Sequence, residues 1–172
     1  MKVIESYGRA IENSDENLFK ELFAPQVRLE IPAGPSADHP ANVVSHIMSQ
    51  VAKTAPGIKC TLTADAGNNW HLLVFEGQLD GQKLQAIDQV HLNKAGKIDH
   101  IIIYMRPIPV AQKFAEAIMQ RLQLAKLEAV RFNSVLTFDT GDARTGAGSI
   151  AAIFRQIFFW QMSRHSLWRG RT

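Results

Sequence analysis

The stretch that most constrains the fold runs from residue 84 to residue 107 and reads LQAIDQVHLNKAGKIDHIIIYMRP. Two halves that alternate between apolar and polar residues flank residues 93–96 (NKAG), a sequence typical of a tight turn. Because successive strand side chains point to opposite faces, the even positions of the first half share one face. That face is apolar except for the carboxyl group of Asp88. The stretch therefore predicts a long antiparallel hairpin that carries one inward-facing acid.

The pairing of this hairpin follows from the length of its turn. If the turn has four residues, Asp88 lies opposite Ile101 and Ala86 lies opposite Ile103. The outer face then holds a set that is too apolar for a solvated sheet surface. Its members are Gln85, Ile87, Gln89, His100, Ile102 and Tyr104. We expect a partner, or the C-terminal tail of the chain, to cover this face.

The rest of the first 121 residues supplies elements that pack on this hairpin. Helical periodicity predicts helices over residues 3–13, 16–23 and 42–53, and strand alternation predicts strands over residues 26–31, 58–65, 69–79, 83–92 and 97–106. A loop rich in proline, PAGPSADHP, is expected to form a rim or lid. The predicted fold class is α+β: a cone-shaped, curved antiparallel sheet with three helices of the N-terminal half packed in its concave face, plus a helical C-terminal extension.

Composition narrows the function classes. Residues 1–121 hold 12 Lys and Arg against 13 Asp and Glu, whereas residues 122–172 hold 7 against 3, so only the tail is basic. Because the predicted domain has no basic stripe interleaved with aromatic residues, nucleic acid is not an expected partner. A single cysteine, Cys60, indicates a reducing compartment. The start of the chain lacks the apolar stretch of a signal peptide, which favours a cytoplasmic protein.

The chain divides into a predicted cone domain, residues 1–121, and a basic helical extension, residues 122–172, with a glycine-containing flexible link near residues 134–149. The last segment is imperfectly amphipathic, and three placements compete for it. Docking on its own or a partner's domain ranks first, a weakly ordered extension second, and contact with an anionic membrane surface last.

Two stretches carry a resemblance to a known family. YGRAIENSDENLFKELFAPQVRLEIPAG and GQLDGQKLQAIDQVHLNKAGKIDHIIIYMRP resemble the nuclear transport factor 2-like superfamily, particularly its SnoaL-like members, over roughly residues 2–121. The resemblance implies a cone with an apolar pocket. It implies no single activity, because the superfamily includes isomerases, dehydratases, cyclases and plain binding modules. It also implies a homodimer that forms through the outer sheet face.

A more distant similarity to ketosteroid isomerases gives two residues a role. Matched without gaps, the oxyanion-hole tyrosine and aspartic acid of those enzymes fall on Tyr7 and Asp88, and both become candidate catalytic residues. Their general-base aspartate falls on Ile31. The similarity therefore implies an oxyanion hole without a base, which makes steroid isomerisation by that mechanism an unsuitable assignment.

Further candidates are the residues expected to contact a ligand. These are Ile31, Trp70, Phe75, Val90, Ile101, Ile103, Met105 and His39. His39, with Asp38, either acts as an acid or base on the lid or belongs to a turn in which Asp38 caps the next helix. The histidines and carboxylates do not form a metal set, and no cofactor is expected.

Two functions are consistent with these residues. The first is a cavity protein that binds a small hydrophobic molecule without catalysis. The alternative is a lyase, isomerase or cyclase that acts on a small carbonyl compound and uses Asp88 and Tyr7 to stabilise an enolate-like oxygen. The missing base favours the first function, and a polar pair on an apolar floor favours the second.

Overall fold

The structure, a computed structural model, describes residues 2–32 and 36–136, with side chains up to residue 123. The elements follow one another as helices α1 (Lys2–Asn13) and α2 (Glu16–Leu22), strands β1 (Phe23–Glu30) and β2 (Ala37–Pro40), helix α3 (Ala41–Thr54), strands β3 (Lys59–Gly67), β4 (Trp70–Leu79), β5 (Gln82–Leu92) and β6 (Ile98–Arg106), and helix α4 (Ile108–Leu136). The α+β class and the three helices of the N-terminal half are confirmed.

The six strands form one curved sheet in the order β2-β1-β6-β5-β4-β3. Strands β3 to β6 make the predicted antiparallel meander. Strand β1 pairs in parallel with β6, so the sheet is mixed rather than wholly antiparallel. The proline-rich stretch predicted as a loop contains a short strand, β2, which pairs with β1 and extends the sheet by one edge strand.

The helices bury the faces that their periodicity predicted. Helix α1 buries Tyr7 completely. Asp15 caps the N-terminus of α2: its side chain accepts hydrogen bonds from the backbone N–H groups of Asn17 and Leu18. That contact satisfies two of the free amides of the first helical turn. Helix α2 is one residue shorter than predicted, because Phe23 already has an extended backbone and opens β1.

The predicted faces of the long hairpin are confirmed, but the predicted pairing is wrong by two residues. Asp88 lies opposite Ile103, and Ile101 lies opposite Val90. Two insertions cause the shift. The turn contains five residues, because Leu92 pairs with Ile98, and the register slips once more before His91 pairs with His100. Because the total shift is even, every side chain keeps its predicted face.

The core lies between the concave face of the sheet and the helices. Its largest completely buried side chains come from both layers: Tyr7, Phe19, Phe75, Met48, Leu73, Ile98 and Ile101. Helix α4 adds Val110 and Phe114 to this core and runs through the predicted boundary at residue 121. No helix among the described residues is long and apolar enough to cross a membrane. The predicted link and extension lie outside the described residues from residue 137 onward.

Candidate functional site

Among the residues that the structure describes, the core contains one hydrogen-bonded pair of ionisable side chains. The hydroxyl of Tyr7, on α1, donates to Oδ2 of Asp88, on β5, across 2.7 Å. Tyr7 is completely buried and Asp88 is 4% exposed. The ring of Tyr7 lies edge-on to that of Phe19, with centroids 5.7 Å apart. Aromatic packing therefore fixes the hydroxyl where it meets the carboxyl group.

Burial controls the protonation of this pair. Loss of solvation raises the pKa of Asp88 to about 7, and the hydrogen bond from Tyr7 lowers it in part. Burial, together with the nearby carboxyl group, raises the pKa of Tyr7 well above its usual value. Near neutral pH the pair therefore consists of a neutral tyrosine and a carboxyl group that exists in both protonation states.

The two oxygens of Asp88 have different surroundings. Oδ2 accepts the hydrogen bond from Tyr7, whereas Oδ1 makes no hydrogen bond with the described residues. In the protonated acid, Oδ1 can carry the proton and donate a hydrogen bond to a ligand oxygen. Because the hydroxyl of Tyr7 already donates to Asp88, the arrangement is a chain of two groups rather than two donors that converge on one oxygen.

Ile31 lies in the same interior row as Asp88. Glu30 of β1 pairs with Ile102 of β6, so the next residue, Ile31, lies beside Ile103. Ile103 in turn pairs with Asp88 of β5. Two strand spacings separate Ile31 from Asp88, roughly 10 Å. The position that the resemblance assigns to a base therefore faces the same interior as the acid, and a half-buried apolar side chain occupies it.

Five of the other predicted ligand contacts lie on the interior face near Asp88. Phe75, Val90 and Ile101 are fully buried, and Met105 is half-buried opposite Ala86. Ile103, directly opposite Asp88, is 7% exposed. These residues form the apolar surroundings that raise the pKa of the acid, and their contact with a ligand stays a prediction.

Trp70 does not face the interior, and the prediction that it contacts a ligand in the interior pocket is wrong. It pairs with His91 in the β4–β5 ladder, so the two side chains share the outer face. The indole ring lies 4.9 Å from the imidazole of His91 and 5.0 Å from that of His100, centroid to centroid. Carboxylates hold both imidazoles: His91 Nδ1 lies 2.6 Å from Asp99 Oδ1, and His100 Nε2 lies 2.8 Å from an oxygen of Glu30.

His39 belongs to β2 rather than to a free loop. It pairs with the fully buried Val27, so its side chain lies on the interior side of this edge strand. Partial burial lowers the pKa of His39, and the charge of Asp38 opposes that shift. Asp38 pairs with Arg28 and does not cap α3, whose first turn has no side-chain cap. The capping interpretation of Asp38 is therefore wrong.

The structure also places His71 on the interior face. His71 lies opposite Val90, and Leu73, two residues further along β4, lies opposite Asp88. His71 and Asp88 are therefore diagonal neighbours across two strands, a relation that puts Cα atoms roughly 7–8 Å apart. The imidazole is half-buried and makes no hydrogen bond with the described residues.

Within residues 2–32 and 36–136, no cluster of three or more histidine, cysteine or carboxylate side chains could hold a metal ion.

The outer face carries a straight apolar row in which directly paired residues follow one another across four strands: Leu62, Val74, Ile87 and Tyr104. Leu62 and Tyr104, at its two ends, are 52% and 51% exposed.

Solved structures share this architecture. An uncharacterised bacterial protein with a cystatin-like fold from Silicibacter pomeroyi aligns with a TM-score of 0.66 at 20% identity, over 70% of this chain and 85% of that chain. A steroid delta-isomerase from Pseudomonas aeruginosa gives 0.65 at 22%, over 74% and 93%. An NTF-2 like protein of unknown function from Burkholderia xenovorans gives 0.53 at 13%, over 64% and 89%. The chain thus has the nuclear transport factor 2-like fold.

At these identities the likeness concerns the fold and does not extend to activity. No protein-family model and no curated protein matches the chain.

Proposed function

We propose that this nuclear transport factor 2-like cone binds a small hydrophobic molecule, with the carboxyl group of Asp88 as its polar contact. The observation that carries the proposal is the buried acid whose Oδ1 has no hydrogen bond among the described residues. Apolar surroundings favour a hydrophobic ligand, and one polar group within them fixes its orientation.

The protonation of Asp88 indicates which polar atom the ligand presents. With a pKa of about 7, the acid is largely protonated below neutral pH. A protonated carboxyl group donates a hydrogen bond, whereas its ionised form only accepts. The carbonyl oxygen of a small ketone or enone fits the protonated form and is repelled by the ionised one.

The test is the pH dependence of binding. The full chain is titrated with a panel of small aromatic ketones and enones, with 1-tetralone as the reference probe. We expect the affinity for 1-tetralone to fall above pH 7, approaching tenfold per pH unit, because each unit leaves tenfold less of the protonated acid. The Asp88→Asn variant does not titrate at this position, so its affinity stays constant with pH.

Asp80→Asn is the matched control. Asp80 is exposed in the β4–β5 turn with a φ of 50°, a backbone conformation that asparagine also adopts. This variant keeps the wild-type pH profile. A wild-type affinity that does not change with pH contradicts the role of Asp88. Absence of binding across the panel, together with no co-purified molecule in native mass spectrometry, contradicts the binding function.

A second candidate function is an enzyme that enolises a small carbonyl compound. Two observations favour it: Asp88 is a donor with a pKa near neutrality, and His71 provides an interior imidazole beside it. His71 would remove the α-proton while Asp88 stabilises the developing enolate oxygen. Exchange of the α-protons of 1-tetralone for deuterium, followed by NMR, measures this step.

The His71→Gln variant separates the two functions. If the chain is an enzyme, the variant loses most of the exchange rate and still binds 1-tetralone. If wild-type protein binds the ketone without accelerating exchange over the same concentration of free imidazole, the chain binds carbonyl compounds without this reaction.

We further propose that two copies associate through the apolar row of the outer face. A two-fold axis that lies in the interface, parallel to the strands and over the middle of the row, would place Tyr104 of one copy against Leu62 of the other, so both exposed ends become covered. Sedimentation should give twice the 19.2 kDa mass of the chain, and Ile87→Lys should give a single chain. Gln112→Lys, on the exposed side of α4, is the control and should stay dimeric. A monomeric wild type at micromolar concentration contradicts this interface.

A further inference from the structure

An open groove of about 810 Å³ lies at one end of the outer sheet face, away from Asp88. Its walls come from the first residues of β3 and β5, the last residues of β4 and β6, and the segments beside them. The residues that give it chemical character are Lys59, Glu76, Lys83, Gln85 and Arg106. Three of these five side chains are cationic and one is anionic.

Hydrogen bonds order the floor of this groove. Glu76 pairs with Gln85, and Gln85 pairs with Arg106, so the three side chains form a polar row across β4, β5 and β6. Arg106 Nε donates to Gln85 Oε1 across 2.7 Å, and Gln85 Nε2 donates to Glu76 Oε1 across 3.0 Å. The amide of Gln85 thus connects the guanidinium to the carboxylate and holds the guanidinium in one orientation.

The cationic end of the groove keeps free hydrogen-bond donors. Only Nε of Arg106 is used within the described residues, which leaves its two terminal nitrogens available. Lys83 lies on the same face two residues before Gln85, diagonal to Arg106, and makes no salt bridge with the described residues. Diagonal neighbours across two strands are close enough for one anion to contact both.

The anionic side chain of the groove contacts Gln85 rather than the cationic side chains of that end. Glu76 lies two strands from Arg106 and accepts the amide hydrogen of Gln85. On its other side it pairs with Lys59, whose Nζ lies 3.4 Å from Glu12. The groove is therefore polarised, with a partly neutralised end at β3 and a cationic end at β5 and β6.

We propose that this groove binds a small organic anion, and that Arg106 and Lys83 hold its phosphate or carboxylate group. A guanidinium whose Nε is already engaged presents its terminal nitrogens side by side, the geometry that suits two oxygens of one anionic group. Pro56, Gly57 and Pro107 line the same groove and leave apolar surface for the organic part of the ligand. This site is separate from the interior acid, so it does not depend on the function proposed for Asp88.

The experiment is a titration of the full chain, followed by backbone amide NMR at low ionic strength. Phenyl phosphate and benzoate are the two probes, and inorganic phosphate tests whether the organic part contributes. We expect saturable shifts at Gly57, Gly77 and Gln85, with one probe bound per chain. Arg106→Gln and Lys83→Gln should each weaken binding about tenfold or more, the effect of losing one charge-assisted hydrogen bond.

Lys94→Gln is the matched control, because Lys94 is an exposed lysine in the β5–β6 turn at the opposite end of the hairpin. It removes the same charge and should leave the affinity unchanged. Arg106→Lys keeps the charge without the planar fork and should fall between wild type and Arg106→Gln. Shifts that do not saturate, or an equal loss in Lys94→Gln, would show general electrostatic attraction and overturn the proposal. Tighter binding of phenyl phosphate than of benzoate identifies the phosphate source of the ligand, and the reverse order identifies the carboxylate source.

Discussion

The buried acid predicts how stability depends on pH. The pKa of Asp88 is about 7 in the folded chain and 3.8 for an exposed aspartate. This difference of about three units, at 1.36 kcal/mol per unit, amounts to about 4 kcal/mol. Because the folded pKa is the higher one, the folded state binds more protons between these values. The contribution is therefore complete below pH 4 and is lost as the pH rises through 7.

The Asp88→Asn variant isolates this contribution. Asparagine accepts the hydrogen bond from Tyr7 and does not titrate. Other groups with shifted pKa values, such as Glu16 and His39, are present in both proteins and cancel in the difference. We expect the free energy of unfolding of the variant, relative to wild type, to increase by about 4 kcal/mol between pH 4 and pH 8.

Urea denaturation followed by circular dichroism at half-unit pH intervals measures both free energies. A carboxyl-labelled NMR titration of Asp88 gives its pKa independently. The exposed Asp80→Asn substitution should run parallel to wild type. If Asp88→Asn also runs parallel to wild type, within about 1 kcal/mol over this range, the carboxyl group is not held protonated by burial and the reasoning is refuted.

Three other substitutions test single contacts. Tyr7→Phe removes the hydrogen bond that lowers the pKa of Asp88, so the NMR titration midpoint should rise above that of wild type; an unchanged midpoint contradicts the contact. Gly77→Ala puts a Cβ atom 3.2 Å from a side-chain carbon of Ile58, and thermal unfolding should show a loss of about 1–3 kcal/mol unless the isoleucine moves aside. Asp15→Ala removes the cap of α2 and should cost about 1 kcal/mol in urea denaturation, whereas Asp15→Asn should cost less.

The sequence predicts the faces of the hairpin because strand periodicity depends on neighbouring residues alone. The pairing depends on more. The five-residue turn and the slip before His91 are settled by contacts along the whole ladder, and the pattern of apolar residues is satisfied equally well by a shift of two. The sequence therefore predicts the correct face for Asp88 and the wrong partner.

Trp70 and β2 show a second limit. The run WHLLVF is apolar at both odd and even positions, so alternation predicts neither the outer position of Trp70 nor the interior position of His71. Strand β2 has only four residues and lies in a stretch rich in proline, where no periodic signal can develop. Its pairing with β1 is a tertiary contact, and it moves His39 from a supposed lid to the sheet edge.

The interior also limits the chemistry that one carboxyl group can perform. To stabilise an enolate oxygen, Asp88 must be protonated, and to remove a proton it must be ionised, so it cannot do both in one step. The position in line with it, Ile31, offers no second carboxylate. Catalysis by this interior therefore requires another group, and His71 is the nearest imidazole that the strand pairing provides. Binding requires the protonated acid alone. If the affinity depends on pH and no α-proton exchange is measured, the interior supplies a hydrogen-bond donor but no base within reach of the ligand.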